Sequence, residues 1–283
     1  MHVLARAVVA GAVVGLVETF LQLHDPDDGW MFFAPFLAGL VLNWAMGVPR
    51  WGGVAVVAPF VNIVLLLAGF WHLSPAEVMD LGVWQGSALF MMVGASGNLV
   101  AAALVGPGAT AIRTAVAGAV AVAFMGVGAH QGAMDETAQA RRLGASGIPL
   151  IAATVPGHEL TTLSERYRYA EEQPSIELVY ERHSDGSELE MYVMRPTAAT
   201  TVEAACREPV PEVTGMMGTS GTCRKVSNYV WVREEEICTR VFALGEGALV
   251  QLASEAMPEN ELIALTGRFR PVTAAELAAL DDA

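Results

Sequence analysis

The sequence predicts an α-helical transmembrane bundle of five helices, followed by a C-terminal α+β domain built on an antiparallel sheet. Three observations point there. Charge is almost missing from the first 130 residues, five apolar stretches of spanning length lie within them, and beyond residue 148 short alternating runs are punctuated by turn residues.

Charged residues make up only 16% of the 283 residues, against about 25% in ordinary soluble domains. The deficit is uneven. Residues 1–130 contain Arg6, Arg50 and Arg113 as their only bases and Glu18, Asp25, Asp27, Asp28, Glu77 and Asp80 as their only acids. The expected division is therefore a transmembrane domain over 1–130, a helical neck over 131–147 and an extracytoplasmic domain over 148–283. The net charge of −14 sits mostly in the last of these. An acidic domain repels phosphate backbones, so nucleic acid is not an expected partner.

A bilayer core needs about 20 consecutive apolar helical residues. The five stretches are Val3 to Leu23, Trp30 to Val48, Trp51 to Trp71, Val83 to Val105 and Thr110 to Ala129. They are separated by the Asp25–Gly29 cluster, Pro49-Arg50, the polar run His72 to Gly82, and Gly106-Pro107-Gly108. The first is read as a span rather than a cleaved signal, because its apolar run is long and Glu18 interrupts it. Basic residues favour the cytoplasmic side. Arg6, Arg50 and Arg113 fall on alternate connections and so on one side, while the intervening connections hold only acids. This orientation puts the N-terminus in the cytoplasm, and five crossings of a plasma membrane leave the C-terminal domain outside.

Within the spans, Glu18, Asn62 and Asn98 are the polar residues of most interest, with Asn43, Gln85 and Ser96 beside them. A carboxylate in lipid costs at least about 2.5 kcal/mol, so Glu18 should face protein or water. The favoured reading is helix–helix hydrogen bonding with a snorkelling Glu18. The alternative is an ion or proton path through a small transporter or channel subunit. Gly11/Gly15 and Gly82/Gly86 have the spacing that lets helices approach closely, inside the bundle or in a homo-oligomer.

In the exterior half, Leu160 to Tyr169, Ile176 to Arg182, Glu188 to Met194, Tyr229 to Arg233, Ile237 to Leu244 and Ala248 to Ala253 read as strands. Asp185-Gly186 turns one hairpin and Gly245-Glu246-Gly247 another. Thr201 to Cys206, Glu259 to Thr266 and Thr273 to Leu280 read as helices, the last opened by a Thr273–Glu276 capping box. Together they predict about six antiparallel strands with helices on one face. Cys206, Cys223 and Cys238 all lie here, where an oxidising compartment permits disulfides. Cys206 and Cys223 flank a Gly/Met/Thr/Ser-rich loop and are the favoured pair, ahead of Cys223–Cys238.

No nucleophile elbow, phosphate loop, His-Glu-x-x-His or Rossmann fingerprint occurs. Accordingly no catalytic, cofactor-binding or metal-ligating residues are expected. His158 and His183 read as solvated. The run Glu234-Glu235-Glu236 reads as a solvated turn, with weak calcium binding as its alternative, and Met191, Met194, Met216 and Met217 read as core and loop filler. The ending, Gly247-Ala-Leu-Val-Gln-Leu-Ala-Ser-Glu, a short helix, then Arg270-Pro-Val-Thr-Ala-Ala-Glu-Leu277, resembles multi-pass membrane proteins of high-GC bacteria that end in an exported domain. It is similar to exported domains of anti-sigma-factor and lipoprotein type. The resemblance implies sensing or binding rather than catalysis. The expectation is a non-enzymatic, membrane-anchored protein whose partners are the bilayer and a protein or small molecule on the outer side.

Overall fold

The structure is a computed structural model in which residues 2–24, 30–70, 75–106, 110–166, 174–197, 201–209, 221–235 and 238–281 are described. The chain forms two compact units, Met1–Ala138 and Gln139–Ala283.

The described part of the first unit is helical: α1 His2–His24, α2 Trp30–Ala45, α3 Trp51–Gly69, α4 Pro75–Asp80, α5 Val83–Val105 and α6 Thr110–Gly128, with α7 Gln131–Ala145 crossing the boundary between units. Among the described residues four helices are long and apolar enough to cross a membrane, α1, α3, α5 and α6. The stretch expected over 30–48 is helical for only 16 residues. Its end is fixed locally. Gly47 takes φ 63°, and bonds from Val48 N to Asn43 O and from Gly47 N to Trp44 O close a Schellman motif. The polar stretch before Gly82 contains the short helix α4, too brief to register as a periodicity.

Helices α1 and α5 cross on glycine. A β-carbon at Gly11 would fall onto the carbonyl of Gly94, and one at Gly15 onto that of Phe90. Backbones this close gain dispersion and Cα–H···O contacts that larger residues forbid. Gly82 and Gly86 do not share a helix face: Gly82 lies ahead of α5 with φ 104°, and Gly86 makes room for Val78 and Met79 of α4. The unit's outer surface is apolar, with Phe20, Phe33, Val41, Phe60, Val64 and Val122 among its exposed side chains.

The second unit holds a seven-stranded antiparallel sheet, order β2-β3-β4-β8-β7-β6-β5. Its strands are β2 His158–Glu165, β3 Ser175–Arg182, β4 Glu188–Met194, β5 Thr222–Lys225, β6 Val230–Glu234, β7 Thr239–Gly245 and β8 Ala248–Ser254. Two meanders, β2-β3-β4 and β5-β6-β7-β8, join where β4 pairs with β8. A separate pair, β1 Ile151–Ala153 with β9 Phe269–Pro271, is pinned to the sheet because Ala153 N donates to Tyr180 Oη at 3.2 Å. Burial pushes that phenol above its ordinary range.

The expectation of helices on one face needs correction. Leu178, Met191, Val241, Val250 and Leu252 share one face, and Leu143 of α7, Leu262 and Leu265 of α9 (Glu259–Leu265) and Leu277 of α10 (Ala274–Asp281) belong to the same core. The opposite face carries its own core of Tyr192, Met194, Phe242 and Leu249, packed with Val202, Ala205 and Cys206 of α8 (Val202–Arg207). Strand alternation explains this. Val250 and Leu252 of β8 point one way and Leu249 the other, and both sets are apolar. Helix α8 starts as expected, with Ala204 N donating to Thr201 Oγ1 at 3.1 Å. Helix α10 is opened by the capping box: Thr273 N donates to Glu276 Oε2 at 2.8 Å and Glu276 N to Thr273 Oγ1 at 3.1 Å.

Candidate functional site

Two regions of the helical unit and one face of the sheet collect polar chemistry. In the helical unit, Asn43 of α2 and Asn98 of α5 are buried, 0% and 2% exposed. Asn43 Nδ2 donates to Asn98 Oδ1 at 2.9 Å and to Gly39 O at 2.8 Å, while Asn98 Nδ2 donates to Gly94 O at 3.2 Å. Asn62 of α3 does not join this pair. Its amide lies over Gly97, where a β-carbon would collide with Oδ1. Asn62 and Asn98 line one cavity of about 60 Å³, together with Pro35, Gly39 and Pro59. Glu18 is not among its lining residues. The structure thus joins two of the three singled-out polar residues and leaves the third apart. Asn43, given less weight in the sequence, proves to be the partner of Asn98.

At one end of the same unit the three arginines converge. Arg50 Nη1 donates to Val105 O at 2.9 Å and Arg113 Nη2 to Gly106 O at 2.6 Å, so both guanidiniums cap the last turn of α5. The guanidinium of Arg6 reaches Gly47, three residues before Arg50. Arg50 itself sits at φ 53°, the left-handed conformation that turns the chain from α2 into α3.

On the α8 face of the sheet, Cys206 and Cys223 form a disulfide across 17 residues. Beside it is an ionic cluster that sequence reasoning missed. Arg233 donates from Nε to Glu235 Oε1 at 2.6 Å and from Nη1 to the carbonyls of Cys206 and Arg207 at 2.9 and 3.0 Å. Arg240 Nε donates to Glu235 Oε2 at 3.0 Å, and the Cys238 thiol lies 3.5 Å from the same oxygen. The register places Cys223, Arg233 and Arg240 opposite one another on β5, β6 and β7. Farther along this face, Tyr192 Oη donates to Glu190 Oε2 at 2.8 Å, and the Arg166 guanidinium lies 5.4 Å from the Tyr192 ring centre. Burial, then the neighbouring Glu177 and Glu190, push the Tyr192 phenol well above its usual range, so it acts as a hydrogen-bond donor at any physiological pH.

The remaining candidates separate. Glu235 is a correction to the solvated acid run: it is buried between two guanidiniums. Glu234 stays exposed beside Arg224 at 3.7 Å, and Glu236 lies outside the described residues. Among the described residues His183 and Asp185 form no dyad. Asp185 accepts from Ser187 N at 3.1 Å and Arg182 Nη1 at 3.3 Å, which hold its carboxyl below the usual range, and His183 pairs at 3.7 Å with Glu159. Met191 and Met194 are buried. Met216, Met217 and most of the 209–221 loop lie outside the described residues. Among the described residues no three His, Cys, Asp or Glu side chains come together as a metal site. Compared with known proteins, the chain matches no family model, no curated protein and no solved structure.

Proposed function

We propose that this chain is a non-enzymatic membrane-anchored protein: five helices cross the plasma membrane with the N-terminus in the cytoplasm, and the C-terminal domain serves outside as an interaction or sensing module. The observation that carries the reading is the Cys206–Cys223 disulfide in the second unit, because such bonds persist in oxidising compartments. With three arginines at the cytoplasmic end, only an odd number of crossings is compatible with an exterior domain. Helix α2 supplies the fifth. It presents Phe33, Leu37, Val41 and Trp44 outward while Asn43 faces α5. Its 16 residues extend about 24 Å, a mismatch that bilayer thinning accommodates.

The site chemistry fits binding better than turnover. The buried ion pairs on the α8 face are saturated by one another and, at 3–8% exposure, stabilise the domain rather than meet a substrate, which leaves partner contacts to the exposed residues of the second unit. A second reading, a small transporter subunit, draws support from the Asn62–Asn98 cavity, but Glu18 does not line it. A homo-oligomer is compatible with either.

The test is labelling of intact cells that express Cys238→Ser with a membrane-impermeant maleimide, with and without reduction. Labelling only after reduction supports an exterior, disulfide-bonded domain. Labelling only after lysis overturns the topology. A companion crosslinking experiment with an impermeant reagent should capture a specific partner, and its failure would remove the interaction role.

A further inference from the structure

We propose that Arg6, Arg50 and Arg113 form a binding site for the phosphate headgroup of an anionic phospholipid; this rests on the membrane-spanning reading above. Arg50 and Arg113 bond to the adjacent carbonyls of Val105 and Gly106, and Arg6 reaches Gly47, close in sequence to Arg50. Those two carbonyls take one N–H each from guanidiniums that carry five donors apiece. Arg113 Nε is buried without a hydrogen bond, and Arg6 has no carboxylate partner among the described residues.

Charge at this end is one-sided. The acids described in α1 to α6, Glu18, Glu77 and Asp80, lie toward the opposite end, on the last turns of α1 and on α4. The helix macrodipoles do not cancel the arginines. The N-termini of α1, α3 and α6 and the C-termini of α2 and α5 meet here, and at about half a charge each they add about half a positive charge. Trp44 and Trp51, 64% and 42% exposed, bracket Arg50, and exposed tryptophan marks the depth of lipid headgroups. Guanidinium forks at that depth match a phosphodiester, which accepts paired N–H donors.

Native mass spectrometry of the detergent-solubilised full chain, titrated with phosphatidylglycerol and phosphatidylcholine of equal acyl length, reads the preference directly. The wild type should favour phosphatidylglycerol. Each arginine near an anionic surface is worth about fivefold in affinity, so Arg6→Gln should cut that preference about fivefold and the triple Gln variant on the order of a hundredfold. Arg6 holds no helix carbonyl among the described residues, so its variant keeps the question open if the triple variant does not fold. Glu77→Gln/Asp80→Asn, at the other end, should leave the preference unchanged. Equal affinity for the two lipids, or an unaltered preference in Arg6→Gln, overturns the site. Displacement of phosphatidylglycerol by millimolar inorganic phosphate would assign the arginines to a free anion and overturn the lipid. A chain that stays in solution without detergent removes the membrane reading itself, whereas one that requires detergent and binds both lipids equally removes only this site.

Discussion

Arg240 and Glu235 form an ion pair at 3.0 Å in which each side chain is only 3% exposed. Arg233 grips the other oxygen of the same carboxylate at 2.6 Å. Two cations and one anion taken out of water are costly unless every partner is present, and removing one partner of such a set is the severe change. Glu235→Gln should therefore destabilise the second unit by roughly 3 kcal/mol. Pulse proteolysis of the purified full chain across a urea series measures it. An unchanged midpoint would mean that the pair is solvated in solution.

The disulfide contributes separately. It closes a loop across 17 residues, and in the chain-entropy model a bridge of that span is worth about 3 kcal/mol through restriction of the unfolded chain. Cys206→Ala/Cys223→Ala should lose about that amount in the same assay. Reduction of the wild type should mimic the double variant and leave the variant itself unaffected. Equal sensitivity of both to reductant would point to another source of stability.

Much of this architecture is legible in the sequence, and the failures have physical causes. Helices α1, α3, α5 and α6 follow from continuous apolar runs. Strands β3 and β4 follow from alternation around Asp185-Gly186, and α10 from its capping box. The missed strands are the shortest ones: β1 and β9 have three residues each, and β5, Thr-Cys-Arg-Lys, is polar and lies at a sheet edge. A strand can be recognised only if one face is buried over several residues, which β5 lacks. Glu235 looks solvated because its neutralising charges come from either side of the turn, Arg233 on β6 and Arg240 on β7. The pairing of Cys206 with Cys223 was readable as loop closure. The convergence of the arginines was readable as a parity of connections, but their bonds to the end of α5 were not.

Acid should weaken the last helix. Glu276 accepts from the Thr273 backbone N–H and hydroxyl, and these bonds hold its carboxyl below the ordinary range. A carboxylate lowered on folding binds fewer protons in the native state. Its stabilisation is thus complete above the unfolded value, about pH 4.3, and is lost as pH falls through the lower folded value. Amide protection factors in α10, corrected for the intrinsic exchange rate at each pH, should fall with acid in the wild type. In Glu276→Gln the same region should be looser at neutral pH and respond less to acid. Identical acid profiles would exclude the capping box as the cause.

The α1–α5 crossing is predicted to be intolerant of bulk. Gly11→Val puts a branched side chain where the backbone of Gly94 already lies, and overpacking of this kind costs about 1–3 kcal/mol when the helices can shift apart. The full chain in detergent should melt at lower temperature. Gly118→Val on α6, where a β-carbon meets nothing within 4 Å, is the matched control and should have little effect. Similar losses at both positions would argue against a specific crossing.

The hairpin between β7 and β8 offers a gain rather than a loss. Gly245 pairs with Ala248, so the turn consists of Glu246 and Gly247, and both have positive φ, 52° and 76°. That is the type I′ geometry, whose twist matches the flanking strands and whose preferred sequence is Asn-Gly. A glutamate in the left-handed region bears a backbone cost of about 1–2 kcal/mol that asparagine partly avoids. Glu246→Asn should therefore stabilise the second unit by roughly 0.5–1 kcal/mol. Gly247→Ala should cost about 1 kcal/mol and, because nothing lies within 4 Å of the new β-carbon, the whole of that cost is conformational. The two effects arise in adjacent residues of one turn and should have opposite signs in the same urea series. A loss on Glu246→Asn would mean that the glutamate side chain contributes an interaction that outweighs its strained backbone.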